Sequence, residues 1–227
     1  MAQLGEAVWS RGRDTRDTMT LRGYVGVLSF FTTYGLALAS AVAYLTLAWQ
    51  PTLVSFLLVG LVVPFAGIFI AHRSDNWLVS LFGYTLLVLG LGAVTGPAVA
   101  MYKANVVMTA LLATSGVTVV MSLAGILYPK SLESWGSYLF GALLALLFVR
   151  IAQLVMLSLG YPSFGYMPLI EYGAAVLFSL YIVYDWNRAV RLSRTLDNAV
   201  DCAMAIFLDV INLFLTMLRI FGHSSSD

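Results

Sequence analysis

Seven apolar stretches, each about twenty residues long and bounded by charged or turn-forming residues, limit this chain more than any other feature. They run approximately from Tyr24 to Ala48, Pro51 to Ala71, Trp77 to Tyr102, Asn105 to Tyr128, Tyr138 to Leu159, Pro168 to Tyr184 and Ala199 to Phe221. A bilayer hydrocarbon core about 30 Å thick is crossed by a helix of roughly that length, and only a helix or a closed barrel satisfies its own backbone there. The breaks carry stop signals: Trp49-Gln50-Pro51, the polar run His72 to Asn76, Tyr102-Lys103, Pro129-Lys130, Tyr161-Pro162 and the charged segment from Asp185 to Asp201. With 60% hydrophobic and 10% charged residues, the chain lacks the polar surface to hide such stretches in water, since soluble domains are roughly 45–50% apolar and about 25% charged. Soluble enzymes and disordered tails are excluded. The expected fold is all-α: a polytopic membrane protein, a compact bundle of seven transmembrane helices packed as antiparallel neighbours across short loops.

A net charge of +1 offers no basic stripe for nucleic acid. Cys202 is the lone cysteine, and His72 and His223 lie far apart, so neither a metal–thiolate site nor a cofactor is expected. Residues 1–22 are polar, contain Arg11, Arg13, Arg16 and Arg22, and have no cleavable apolar core, so they read as a retained tail ahead of a membrane domain over 23–227. With that tail in the cytoplasm, Arg73, Lys130, Arg188, Arg191 and Arg194 fall on the same side, and the other side receives Lys103 and Arg219. Positive residues therefore favour a cytoplasmic N-terminus and an outside C-terminus. The tail is also expected to attract anionic headgroups. Gly83, Gly90, Gly92 and Gly96 in the third span read as packing positions, and Pro64 and Pro97 as static kinks.

Ionisable residues inside spans are costly unless paired. Four stand there: Arg150, Glu171, Asp185 and Asp209. Asp209 is the deepest acid, about 15 Å below the surface at 1.5 Å per residue, with Asn212 one turn further on the same face as a hydrogen-bond donor. Asp185 ends the sixth span and approaches the same half of the membrane. Two carboxyls meeting in a low-dielectric site share a proton, with one pKa strongly raised. The alternative is that Asp185 begins a solvated loop while Asp209 is a neutral acid bonded to Asn212. Arg150 needs an acid, a carbonyl or water, and Glu171 reads as an interface or vestibule residue.

The run Phe178-Ser-Leu-Tyr-Ile-Val-Tyr-Asp185, then Leu208-Asp209-Val-Ile-Asn212-Leu-Phe-Leu, ending Leu218-Arg-Ile-Phe-Gly222, closely resembles the signature of the Bax inhibitor-1 family, in its bacterial YetJ/YccA branch. The specific match covers the last two spans, and the seven-span layout agrees more loosely. The resemblance implies a pH-sensitive calcium leak in which two aspartates form a titrating, gating pair, here Asp185 and Asp209. Those aspartates would be transient calcium ligands, with Ca²⁺ and protons as the moving species and the bilayer as the partner. It also implies an arginine latch on the sixth-span aspartate, and Arg73 is the matching position. This chain departs from the pattern in having no acid in the second span and in Arg150. A bacterial inner membrane is the implied location, and no enzyme activity is implied. Tyr184-Asp185 matches half of the intramembrane aspartyl protease pattern, but Asp209 follows Ile206-Phe-Leu208 rather than Gly-x-Gly. A retinal protein would need a lysine in the last span, and Lys130 is the last in the chain. The alternative function is a non-conducting regulator that binds a membrane protease or another membrane protein.

Overall fold

The computed structural model describes residues 18–161 and 167–224. Arg11, Arg13 and Arg16 lie outside the described residues. Among the described residues there are seven helices long and apolar enough to cross a membrane. These are α1 (Leu21–Leu45), α2 (Leu53–His72), α3 (Trp77–Ala100), α4 (Ala104–Leu127), α5 (Gly136–Ser158), α6 (Pro168–Ala189) and α7 (Leu196–Ser224). A short 3-10 turn, Glu133–Trp135, leads into α5. Large apolar side chains such as Phe30, Leu53, Leu112, Phe148 and Val176 point outward. In an integral membrane protein the acyl chains cover that surface.

Caps explain where the helices begin. Thr20 Oγ1 accepts from the Gly23 amide at 3.2 Å, so α1 starts at Leu21 and takes in Arg22. Thr52 does the same for Ser55 at the head of α2. Thr195 caps α7 through the Asn198 amide at 3.2 Å, and Asp197 in the first turn faces the positive end of the helix. Correspondingly, α6 does not stop at Tyr184. It continues through Asp185 to Ala189, and the charged break shortens to residues 190–195. Asp185 is thus a helical residue and not the start of a solvated loop.

The two in-span prolines behave differently. Ahead of Pro64 the helix widens into a π turn, Leu58–Val62, which absorbs the donor that proline lacks. Pro97 sits inside an uninterrupted α3. The bend expected at Pro64 therefore has a local cause, while α3 keeps helical geometry through its proline.

The chain divides into two units. The first holds α1, α2, most of α3 and the start of α7 up to Phe207. Its helices meet through small residues. A Cβ on Gly67 would collide with the Gly83 carbonyl, and the reverse holds for Gly83, so α2 and α3 touch backbone to backbone. Gly90 faces Val59 and Pro64 of α2; Gly92 and Gly96 face Ala39, Ala43 and Thr46 along α1. All four glycines of the third span are therefore contact positions. Tyr84, fully buried, donates to the Phe31 carbonyl at 3.2 Å, and its ring meets Phe207 edge-on at 5.8 Å. Ser80 Oγ donates to Asp197 Oδ1 at 2.7 Å, tying α3 to the head of α7.

The second unit holds α4, α5, α6 and α7 from Leu208 onward. Gly125 near the end of α4 lies against the Val183 carbonyl and the Trp186 Cβ of α6. Asn187, 1% exposed, fastens this contact. Its amide donates to the carbonyls of Gly125, Tyr128 and Lys130 at 3.1–3.2 Å, and its Oδ1 accepts from the Leu132 amide at 3.0 Å. One buried side chain thereby satisfies the end of α4 and the turn that follows it.

The glycine contacts predict unequal tolerance of an added methyl group. Gly67→Ala should destabilise the protein by about 1–3 kcal/mol through overpacking. Gly26→Ala, where an added Cβ meets nothing within 4 Å, should be neutral or slightly stabilising. Thermal unfolding in detergent, followed by circular dichroism, checks the contrast.

Candidate functional site

The second unit carries two charged centres at opposite ends of the α6 and α7 segments. Glu171 and Asp185 are fourteen residues apart on α6, about 21 Å along its axis, and Asp209 and Arg219 are about 15 Å apart on α7. Acids face each other at one centre, and arginines surround an acid at the other.

At the first centre the side chains of Asp185 and Asp209 lie close enough to act on each other's charge and to share a hydrogen bond. Asp209 is buried and Asp185 partly so. Ionised carboxylates are acceptors only, so a hydrogen bond between two of them requires a proton on one. Asp209 Oδ2 is buried, and no donor among the described residues reaches it. The remaining charged and titratable neighbours within the unit are Arg188, Tyr181 and Tyr184 of α6 itself. Arg188 hydrogen-bonds to the Tyr184 hydroxyl, and the tip of that side chain packs on Gly136 at the head of α5.

Asn212 does not serve Asp209. Its amide donates to the Leu208 carbonyl at 2.8 Å, one turn back on its own helix. Such back-bonding needs no rearrangement of α7 and outcompetes a reach across to the acid. Arg73 lies in the first unit, just past the end of α2, with its guanidinium 4.4 Å from the centre of the Phe69 ring.

The second centre corrects the reading of Glu171 as a vestibule residue. Its side chain is fully buried, and Arg150 donates to both carboxylate oxygens, Nη1 to Oε1 at 2.5 Å and Nη2 to Oε2 at 2.7 Å. Arg150 Nη1 also donates to Gln153 Oε1 at 3.2 Å. Arg219 of α7 approaches Glu171 Oε1 to 3.8 Å. A forked arginine–carboxylate pair is the strongest way to hold two charges at low dielectric. Tyr102, in the loop between α3 and α4, packs its ring on Gly222 of α7. Burial pushes its pKa above the usual phenol value, opposed by Arg219 and reinforced by Glu171.

The Arg150–Glu171 pairing had a sequence signal. Opposite charges stand 21 residues apart on either side of one loop, eight residues before the end of α5 and three after the start of α6. Antiparallel neighbours bring those depths together, and the long arginine side chain spans the difference. Asn187 gave no such signal, because an asparagine beside Arg188 in a charged stretch looks like a solvated residue.

Removing the acid from this centre should expose its structural weight. Glu171→Gln leaves Arg150 buried without a counter-charge and should cost about 3 kcal/mol or more. Arg150→Met in the same chain should recover most of that loss. A double-mutant cycle on unfolding free energies, measured in detergent or bicelles, checks the coupling.

Comparison with known proteins agrees with this architecture. A family described as "Inhibitor of apoptosis-promoting Bax1" matches residues 26–226. The chain is 34% identical over 149 residues to an uncharacterised protein of Helicobacter pylori strain J99, covering 66% of this chain and 56% of that protein. Against Protein LIFEGUARD 3 of Arabidopsis thaliana it is 28% identical over 198 residues, covering 84% of this chain and 70% of the relative. Against an uncharacterised membrane protein of Streptococcus pyogenes serotype M3 the identity is 29% over 129 residues, 54% of either chain. The chain thus spans just over half the length of the Helicobacter protein it matches. A family match across nearly all of its spans, on a chain with seven membrane-crossing helices, makes this an integral membrane protein of the Bax inhibitor-1 family.

Proposed function

We propose that this protein is a pH-sensitive calcium leak of the membrane, gated by the Asp185–Asp209 pair. The observation that supports it is the close approach of two carboxyls, Asp209 buried and Asp185 partly so, inside two apolar helices. A structural role alone would be served better by an amide or an apolar pair, since an unpaired charge at that depth is expensive. An acid pair is useful where its charge has to change.

With one proton between them, the carboxyls hold α6 and α7 together. When the proton leaves, two negative charges in a low-dielectric site repel each other and the pair opens. The freed oxygens are hard ligands of the kind Ca²⁺ takes, so the same groups that sense protons offer the passing ion a coordination step. The ion is cargo here and is released as readily as it binds. Arg73 acts as the latch that competes for the ionised sixth-helix aspartate. Positive residues set the N-terminus in the cytoplasm and the C-terminus outside, in a bacterial inner membrane.

Reconstituted Ca²⁺ flux, followed with an internal dye from acid to mildly alkaline pH, tests the reading. Wild-type flux should titrate. Asp209→Asn and Asp185→Asn should each give flux that no longer depends on pH, because the amide donates to the remaining carboxylate and no second, repelling charge can appear. A mutant that titrates as the wild type does would sink the gate. Arg73→Ala should shift the balance between closed and open protein, and unchanged flux at every pH would remove the latch.

A further inference from the structure

The arginine centre has more donors than Glu171 can satisfy. Glu171 accepts two hydrogen bonds from Arg150. Arg219 approaches it only to 3.8 Å, and among the described residues its guanidinium makes no hydrogen bond at all. Gln153 is 8% exposed, and its Nε2 is buried with no partner. Because Oε1 of the same amide accepts from Arg150, this orphaned donor lies beside the Arg150 guanidinium. Two arginines, one acid and one unpartnered amide leave the centre with a net positive charge and, among the described residues, no acceptor hydrogen-bonded to the Arg219 guanidinium or the Gln153 amide.

Buried native donors are satisfied in the great majority of cases, by protein or by something bound. Neutral water would answer the amide but not the excess charge. An oxyanion answers both, and phosphate is the oxyanion that arginine recognises most readily through paired N–H donors. The depth of the site suits one source. Glu171 stands three residues inside α6, about 5 Å from its start, and Arg219 five residues before the end of α7, about 8 Å. Headgroup layers extend about 5–8 Å beyond each side of the hydrocarbon core, so a phospholipid phosphate lies within reach of arginines at this level. The Arg219 side chain is 44% exposed, which leaves an approach open.

We propose that Arg150, Arg219 and the Gln153 amide form an oxyanion site that takes the phosphate group of a phospholipid, at the membrane face opposite the aspartate pair. Arg150 is held in place by Glu171, Arg219 supplies the uncompensated charge, and Gln153 supplies the neutral donor. The site does not depend on whether the aspartates conduct.

The test uses full-length protein in a neutral detergent with three probes: inorganic phosphate, dioleoylphosphatidylglycerol and dioleoylglycerol, which has the same chains and no phosphate. Native mass spectrometry reads bound adducts, and thermal unfolding reads stabilisation by the bound species. Phosphatidylglycerol should bind and raise the unfolding temperature, whereas dioleoylglycerol should not. Arg219→Met should weaken the phosphatidylglycerol adduct about tenfold or more. Gln153→Leu should weaken it several-fold, and both variants should retain unfolding transitions in the absence of lipid. Among the described residues Arg219 makes no hydrogen bond, and the Gln153 amide nitrogen has no partner, so these changes leave the forked Arg150–Glu171 pair standing. Phosphate alone shifting wild type but not Arg219→Met supports the oxyanion site with a soluble source, and phosphatidylglycerol alone doing so assigns the source to lipid. Equal effects of phosphatidylglycerol and dioleoylglycerol, or adducts unchanged in both variants, would overturn the proposal.

Discussion

A charge carried into a bilayer has to find its counterpart inside the protein, and the second unit of this molecule is arranged around that requirement. Its deepest polar side chains are not scattered. They are collected on α5, α6 and α7 into two centres, with the surrounding turns almost wholly apolar. Each centre solves the same solvation problem with different chemistry. At one, an acid is met by a second acid and held by a hydrogen bond that needs a proton. At the other, an acid is met by the forked donors of arginine. The first solution is conditional on protonation and the second is not.

What keeps the conditional part in register is ordinary polar satisfaction at its border. Asn187 follows Asp185 by two residues and is bonded to three carbonyls and one amide of the segment 125–132. Gly125 lets α4 and α6 approach closely enough for those bonds to form. The turn of α6 that carries Asp185 is therefore fixed to α4, and a helical residue replaces what the charge pattern suggested was a loop. Asp209 sits thirteen residues inside α7, on a helix satisfied by its own backbone and by back-bonding side chains such as Asn212 and Thr216.

Much of this was legible in the sequence because membranes simplify the code. Length and hydropathy alone give seven spans, since apolar runs of about twenty residues fit a membrane-crossing helix and are too long for a barrel strand, and the glycines of α3 announce close contacts by their spacing. Asp185 and Asp209 were findable as acids in apolar runs. The exact ends of α6 and α7 were not, because they depend on the Thr195 cap and on Asn187, whose value lies in partners distant in the chain. Asn212 misled for a related reason: same-face spacing shows that two side chains are near, but not that a nearer backbone carbonyl will claim the donor. Arg150 and Glu171 were each visible as costly residues, and only antiparallel adjacency of α5 and α6 turns them into a pair.

The two centres also differ in what they lack, and that difference decides what each can bind. The aspartate pair is rich in acceptors and short of donors, a chemistry suited to protons and hard cations. The arginine centre is rich in donors and short of acceptors, a chemistry suited to oxyanions. Glu171 and Arg219 stand on the same two helices as the aspartates, with Arg150 on α5, so a ligand at the arginine end would touch the ends of α6 and α7 farthest from the aspartates. If such a ligand bound one arrangement of α6 and α7 more tightly than another, linkage would require the proton affinity of the acid pair to change with it. A ligand binding both arrangements equally would leave the pair untouched however tightly it bound.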